Sequence, residues 1–198
     1  VVLGMVYNFL PYMILPIYLY GSQVLRAKAQ DADLEKKEEI LQLISDMKET
    51  MLNADGCGLA APQVGVSQRI VIVDGRDLAD RFPNLKDFTR TLINPQVIWE
   101  SEETAEYGEG CLSIPNVDAD ITRPASLKVR YIDENFNEQE ELFEEFAARM
   151  VQHELDHLDG IVFTDRASQI RKKMIAKKLY GISKGCVRTH YRVKTDKK

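Results

Sequence analysis

The residues best able to do chemistry lie in one short run, Gln-His-Glu-Leu-Asp-His at positions 152–157. His153 and His157 are spaced so that on a helix they project from one face, one turn apart. Two imidazoles at this spacing can bind one metal ion, and Glu154 is then close enough to take a proton from a water on that ion. The alternative is two ordinary histidines on an amphipathic helix, although the chain has only three histidines in all.

A catalytic site of the zinc type needs a third protein ligand and one open position for water. Metzincin proteases supply a third histidine through the motif H-E-x-x-H-x-x-G-x-x-H, and the last position of that motif is Phe163 here. Gluzincin proteases take a glutamate from a later helix, but no glutamate follows Gly160. A metalloprotease that cuts ordinary peptide bonds is therefore a poor fit.

A better third ligand lies upstream, in the run Glu-Gly-Cys-Leu-Ser at positions 109–113. The thiolate of Cys111 would be a strong ligand for a divalent metal, because the metal itself removes the thiol proton. Gly110 leaves the approach to the sulfur uncrowded. A lone cysteine is more often a small buried hydrophobic residue, so on the residues alone both interpretations of Cys111 stay open.

The elements that position these residues begin with an amphipathic helix. We expect it to be capped by Asp31 or Asp33 and to end near Gly56. Its apolar face consists of residues at helical spacing: Ile40, Leu41, Ile44, Met47 and Met51.

Strands are predicted where short apolar runs lie between turn signals. Residues 69–74 and 91–99 form two such runs, and Pro95 marks an edge or a bulge in the second. Residues 127–132 and 139–143 are expected to pair as a hairpin.

A central helix that contains H-E-x-x-H is predicted from about Glu144 to Leu158, with a stop at Gly160. A last helix is predicted from Ser168 to Tyr180. Strands that cluster before one central helix indicate an α+β fold, with antiparallel and mixed β-sheets around that helix and a C-terminal helix after it.

Composition indicates a globular chain, since 44% of its 198 residues are hydrophobic and 29% are charged. The length favours one domain, with a catalytic part at 13–165 and a basic C-terminal helix and tail at 166–198. The net charge of -5 argues against a DNA-binding protein. From Ile161 onward, however, basic residues far outnumber the two acidic ones, which indicates either a polyanionic partner or a solvated helix face.

The cellular compartment is suggested by the cysteines and by the N-terminal residues. Three cysteines (Cys57, Cys111 and Cys186) do not make a disulfide framework, so we expect a reducing, cytoplasmic location. Residues 1–20 carry no charge, but Pro11 and Pro16 interrupt this run and no signal-peptide pattern is present. We interpret residues 1–12 as an extension upstream of a native start at Met13, and we expect no membrane association.

Taken together, the motifs resemble those of the peptide deformylase family. Three motifs of that family occur in order: G-x-G-x-A-A-x-Q at 56–63, E-G-C-x-S at 109–113 and Q-H-E-x-D-H at 152–157. The resemblance extends from about Met13 to about Lys184. It implies a hydrolase that removes the N-formyl group from the formylmethionine of newly synthesised polypeptides and releases formate.

The resemblance also implies roles for individual residues. Cys111, His153 and His157 would bind one divalent metal, which is Fe(II) physiologically in this family, although Zn, Ni or Co can occupy the same ligands. Hydroxide on that metal would attack the formyl carbon, with Glu154 as the general base that later protonates the leaving amine.

Substrate contacts are implied in the same way. The backbone N–H of Leu112 and the side-chain amide of Gln63 would stabilise the negative charge on the formyl oxygen. An extended peptide is expected to add as a strand along Gly58 and Gly110. The pocket for the methionine side chain would consist of Cys57, Phe146 and Met150, although core packing is an alternative role for the last two.

Four charged residues are expected to lie near the predicted metal ligands. Glu109 and Arg123 are expected to pair and to brace the Cys111 loop. Arg149, where the family commonly has an apolar residue, is expected to reach solvent along its apolar stem. Asp156 is expected either to orient a histidine or to be an ordinary solvated helix residue.

Two further expectations concern partners, and the first of them is implied by the resemblance. The basic run at 171–178 is expected to contact ribosomal RNA close to nascent chains, and the protein is expected to be a monomer. A catalytically silent relative that serves as a binding module is the remaining alternative, but every chemical role is filled in this sequence.

Overall fold

The structure is a computed structural model that describes residues 12–196. The interpretation of residues 1–12 as an upstream extension therefore concerns residues outside the described range, apart from Tyr12. None of the described helices is long and apolar enough to span a bilayer.

Strands and helices of the described residues are numbered in chain order. The strands are β1 (Ile17–Tyr18), β2 (Gly58–Ala60), β3 (Ile70–Asp74), β4 (Thr89–Glu100), β5 (Thr104–Cys111), β6 (Ile114–Pro124), β7 (Ser126–Ile132), β8 (Glu138–Glu144) and β9 (Val193–Lys194). The helices are α1 (Lys37–Asn53), α2 (Glu145–Leu158), α3 (Phe163–Arg166) and α4 (Gln169–Ser183).

The described strands form three sheets, which together with the helices confirm the predicted α+β fold. Strands β2, β3, β4, β7 and β8 form, in that order, an antiparallel sheet. Strands β5 and β6 form a long hairpin, and β1 pairs in parallel with β9. Helix α2 packs against β2, β3, β7 and β8, and every residue from Ala147 to Leu158 is buried. The H-E-x-x-H helix is therefore enclosed by the rest of the molecule.

Apolar clusters hold the other helices to these sheets. The face of α1 that contains Ile40, Ile44, Met47 and Met51 is buried against β2 and β3, as predicted, whereas Leu41 is only half-buried. Helix α4 buries Ile175, Leu179 and Ile182 against β6. The basic C-terminal helix is thus packed into the same core as the candidate metal site.

The predicted cap of α1 is wrong, because the helix begins at Lys37. The Asp33 carboxylate instead accepts a hydrogen bond from the Glu35 N–H at 3.1 Å, which forms a turn before the helix. Short acidic side chains can satisfy either a turn or a helix end, and the sequence does not distinguish the two.

Other predicted elements agree closely with the structure. A register shift between Ile93 and Gln96 forms the bulge expected at Pro95. The 127–143 hairpin is β7 and β8, and Ser168 caps α4 by accepting a hydrogen bond from the Arg171 N–H at 3.2 Å. The β5–β6 hairpin was not predicted, and it supplies Cys111.

Candidate active site

The three predicted metal ligands come together from two elements. Cys111 ends β5, while His153 and His157 lie one turn apart on α2. Their potential ligand atoms all lie within 4.8 Å of one another, and Cys111 Sγ is 3.3 Å from His157 Nε2. A thiolate and two imidazoles so arranged suit a divalent transition metal with a remaining position for solvent.

Glu154 supplies an acid–base group beside these ligands. Its carboxylate is buried, and Oε2 has no hydrogen-bond partner among the described residues, which fits a group that acts on a water held by a metal. Burial raises the pKa of Glu154 to about 7, the nearby His153 opposes this increase, and Glu109 adds to it. A carboxyl group with a pKa in this range can both take and return a proton near neutral pH.

Gly58 allows the Glu154 carboxylate to lie against the backbone of β2. A Cβ atom at position 58 would be 2.3 Å from Oε1 of Glu154 and 2.9 Å from its Cδ. No side chain fits there unless the carboxylate moves. The glycine in the first motif therefore makes room for the glutamate in the third.

Charged side chains support His153 from behind. Nδ1 of His153 lies 2.8 Å from Oε2 of Glu109, which leaves the other ring nitrogen for a metal. The Glu109 carboxylate also accepts hydrogen bonds from Arg123 Nε at 2.7 Å and Nη2 at 2.9 Å. Burial alone would raise the pKa of Glu109, but hydrogen bonds from Arg123 and His153 lower it to about 2. The predicted Glu109–Arg123 pair is present, and it is buried.

Arg149 does not reach solvent, contrary to the prediction. Its side chain is only 3% exposed, and Nη1 donates to Glu109 Oε1 at 3.0 Å and to the Ile121 carbonyl at 2.6 Å. Nη2 donates to the Ala105 carbonyl at 2.7 Å. Nη1 and Nη2 thus find acceptors on both strands of the β5–β6 hairpin, which makes burial possible, whereas Nε has no partner among the described residues.

Asp156 also differs from both of its predicted roles. It is buried, and its hydrogen-bond partners among the described residues are arginines rather than a histidine. Its carboxylate accepts from Arg123 Nη1 at 2.7 Å and from Arg166 Nε at 2.6 Å. We refer to Glu109, Arg123, Arg149 and Asp156 as the charged flank of the site.

Neutral groups support Cys111 on the other side. Gln63 is buried, and its Oε1 accepts a hydrogen bond from the Ala60 N–H at 2.8 Å. This contact turns the amide so that Nε2 donates to Cys111 Sγ at 3.4 Å and to Ser113 Oγ at 3.2 Å. The N–H groups of the Gln63 amide are thus directed at the Cys111 loop.

The loop that follows Cys111 is held by two tyrosine residues. The Tyr191 hydroxyl donates to the Leu112 carbonyl at 2.8 Å, and the Tyr20 N–H donates to the Ser113 carbonyl at 2.8 Å. We refer to Gln63, Ser113 and Tyr191 as the neutral flank. Tyr191 was not predicted, because nothing in the composition of the tail indicates that it returns to the site.

A cavity of about 580 Å³ opens beside these groups. All five predicted substrate-binding residues line it: Cys57, Gly58, Gly110, Phe146 and Met150. Phe146 stacks on Phe82 with ring centroids 4.2 Å apart and meets Tyr107 edge to face at 5.2 Å. Cys57 is exposed at the cavity. The aromatic contacts of Phe146 make that side of the cavity apolar and well supported.

A thiolate–imidazole ligand set, a buried carboxyl group and an adjoining apolar cleft define a metal-dependent hydrolase of α+β fold. The family model described as polypeptide deformylase matches residues 14–173. The chain belongs to this family, whose members are metal-dependent enzymes that remove formyl groups from nascent peptides. This membership confirms the predicted resemblance.

Individual relatives agree with this assignment over most of the chain. A peptide deformylase of Salinibacter ruber is 44% identical over 183 residues, which cover 90% of this chain and 93% of the relative. The structure is similar to a peptide deformylase of Synechococcus elongatus in complex with actinonin, with a TM-score of 0.75 and 34% identity. The match covers 91% of this chain and 95% of that one. It is also similar to the Met-Ala-Ser-bound class I type b peptide deformylase of Acinetobacter baumannii, with a TM-score of 0.74 and 34% identity. This match covers 79% of this chain and 99% of that one.

Proposed function

We propose that this chain deformylates N-formylmethionyl peptides with Cys111, His153 and His157 as metal ligands and Glu154 as general base. The observation that supports it best is the convergence of the three ligand atoms within 4.8 Å beside a buried carboxyl group. A divalent metal bound there supplies a Lewis acid and lowers the pKa of its water towards roughly 7.

The residues of the chain divide the remaining work. Glu154 takes a proton from the attacking water and returns it to the leaving amine. Nε2 of Gln63 and the N–H of Leu112 donate hydrogen bonds to the formyl oxygen as it becomes negative. Glu109 and Arg123 keep the His153 ring in the orientation that binds metal.

Peptide binding uses backbone at two edges of the cavity. We propose that an extended substrate lies along Gly58 and Gly110 and places its methionine side chain against Cys57, Phe146 and Met150. The Met-Ala-Ser peptide bound to the Acinetobacter baumannii relative supports a substrate that begins with methionine. The apolar environment of Phe146 suits a thioether side chain.

The metal and the reaction are tested together. We propose Fe(II) as the physiological ion, since thiolate and imidazole ligands accept it as well as Zn, Ni or Co. Protein purified without oxygen should contain one metal ion per chain and release formate from formyl-Met-Ala-Ser but cleave nothing in Met-Ala-Ser. A chelator should abolish formate release. Cleavage of peptide bonds in the unformylated peptide would instead indicate a metalloprotease.

We also propose that a monomer acts in the cytoplasm and meets its substrates at the ribosome through α4. In the basic run, Arg171, Lys172 and Lys178 donate to the backbone carbonyls of Asp118, Asp165 and Asn116. Lys173 and Lys177 are exposed and make no such bond among the described residues. Salt-dependent binding to phosphates would then rely mainly on these two lysines.

We propose that the catalytic part at 13–165 and the tail at 166–198 form one domain, because α4 packs into the core. Truncation would therefore disturb the fold, and charge reversal is the better test of this surface. Lys173→Glu combined with Lys177→Glu should reduce co-sedimentation with ribosomes. Lys28→Glu combined with Lys86→Glu is the matched control on other exposed surface. Equal binding by all three proteins would contradict ribosome docking through α4, and gel filtration checks the monomer.

A further inference from the structure

The C-terminal segment returns to the active site after α4. It pairs with the start of the described chain through β1 and β9, in which Ile17 faces Val193 and the Ile17 N–H donates to the Arg192 carbonyl at 2.9 Å. Tyr191 precedes this pair and lines the cavity. The position lies beyond residues 14–173, the part of the chain that the family model matches.

Tyr191 makes two kinds of contact there. Its half-buried ring packs against the apolar cluster beneath α1, which also includes Leu112 as a partly buried neighbour. Its hydroxyl donates to the Leu112 carbonyl at 2.8 Å. A phenol remains protonated far above neutral pH, so this donor is present under all physiological conditions.

The contact falls at a sensitive position in the loop. Leu112 follows Cys111 directly, and its N–H is the proposed donor to the formyl oxygen. An oxyanion donor must be aimed at the position that the charged oxygen will occupy, and a small misplacement lowers the rate steeply. The next carbonyl, that of Ser113, is held by the Tyr20 N–H. Tyr191 therefore fixes the residue between the metal-binding thiol and this second anchor.

We propose that Tyr191 is a positioning residue for deformylation, whose hydroxyl holds the Leu112 carbonyl and so aims the Leu112 N–H at the formyl oxygen. This inference rests on the proposed function. It distinguishes the hydroxyl, which sets the rate, from the ring, which packs as any aromatic residue does. It also gives the C-terminal segment a part in the chemistry, separate from any contact with RNA.

Tyr191→Phe tests the hydroxyl alone. We expect kcat for formyl-Met-Ala-Ser to fall about ten-fold, the effect of one lost neutral hydrogen bond, with KM within about two-fold of wild type. Tyr180→Phe is the matched control, since Tyr180 is an exposed tyrosine on α4. It should leave kcat and KM unchanged. The melting temperatures of both variants should stay close to that of the wild type.

A second measurement does not depend on activity. Amide hydrogen exchange in the peptide that spans 109–116 should be faster in Tyr191→Phe than in wild type or Tyr180→Phe. An unchanged kcat, an equal loss in Tyr180→Phe, or a rise in KM alone would overturn the positioning role. If the metal-loaded wild type releases no formate, the proposed function fails, while hydrogen exchange still decides whether Tyr191 orders the loop.

Discussion

The side of the site behind His153 is held by buried charges, whereas the side behind Cys111 is held by neutral hydrogen bonds. The charged flank places Glu109 between two arginines and the imidazole. In the neutral flank, the Gln63 amide donates to Cys111 Sγ and to the Ser113 hydroxyl, and the Tyr191 phenol donates to the Leu112 carbonyl. Buried charged side chains hold the His153 ring firmly. A fixed negative charge near the formyl oxygen, in contrast, would oppose the negative charge that develops on that oxygen during the reaction. The two kinds of support therefore match the two tasks of the site.

Glu154 lies between the two flanks, and its removal should have the largest effect. Glu154→Ala is expected to lower kcat/KM by up to about 10,000-fold, because the proposed general base and acid are lost together. Neither flank loses a partner, so the variant should keep its metal. It should be at least as stable as wild type, since it lacks the buried Glu154 oxygen Oε2, which has no partner among the described residues. Formate assays, metal analysis and melting curves check this, and near-normal turnover would refute the mechanism.

Arg123 is the centre of the charged flank, and we expect its loss to affect stability first. Arg123→Ala leaves Glu109 and Asp156 with fewer partners and should cost about 3–5 kcal/mol of unfolding free energy. Arg130→Ala is the control, because the ion pairs of Arg130 with Glu138 and Glu140 are exposed, so this substitution should cost about 1 kcal/mol or less. Urea unfolding measures both. Equal losses would show that burial of the charged flank is unimportant.

Gln63 tests the neutral flank, where we expect the rate to change more than the stability. Gln63→Ala should lower kcat about 100- to 1000-fold through loss of the proposed oxyanion donor. Gln63→Glu has the same shape and sharpens the comparison, since it places a negative charge beside the formyl oxygen and should be at least as slow. Steady-state kinetics on both variants decide the matter. A near-normal rate in Gln63→Glu would mean that the neutrality of this flank does not matter.

Arg149 should give the smallest effect, because Glu109 keeps its bonds to Arg123 when Arg149 is replaced. Arg149→Met retains the apolar stem and should cost about 1–3 kcal/mol, mainly from the carbonyls of Ala105 and Ile121 that lose a donor. The urea midpoint should fall between those of wild type and Arg123→Ala. A cost above that of Arg123→Ala would make Arg149 the centre of the charged flank instead.

Local spacing made the two histidines and Glu154 predictable, whereas the roles of Gln63, Leu112 and the cavity residues were predicted from the resemblance to the deformylase family. His153 and His157 follow from helical periodicity, and the pairing of β7 with β8 follows from alternation. The β6 strand also alternates, with Val117, Ala119 and Ile121 buried between exposed polar residues, but this signal was missed. In β5, glycines and acidic residues hide the strand pattern.

Contacts between distant segments could not be predicted. The burial of Arg149 depends on Ala105, Glu109 and Ile121, which meet only after the β5–β6 hairpin docks on α2. The contact of Tyr191 with Leu112 depends on the pairing of β1 with β9, and two-residue strands have no sequence signature of their own. The surroundings of Arg149 and Tyr191 could therefore be known only from the folded structure.

The close approach of Gly58 to Glu154 links two motifs that stand in opposite halves of the chain. The three atoms nearest to a methyl group added to this glycine all belong to Glu154, so the methyl group would push the carboxylate out of place. Glycine at position 58 should therefore be retained because proton transfer by Glu154 needs it, rather than because the strand does. Inhibitors that reach this edge would contact a surface that cannot acquire a side chain without disabling the enzyme.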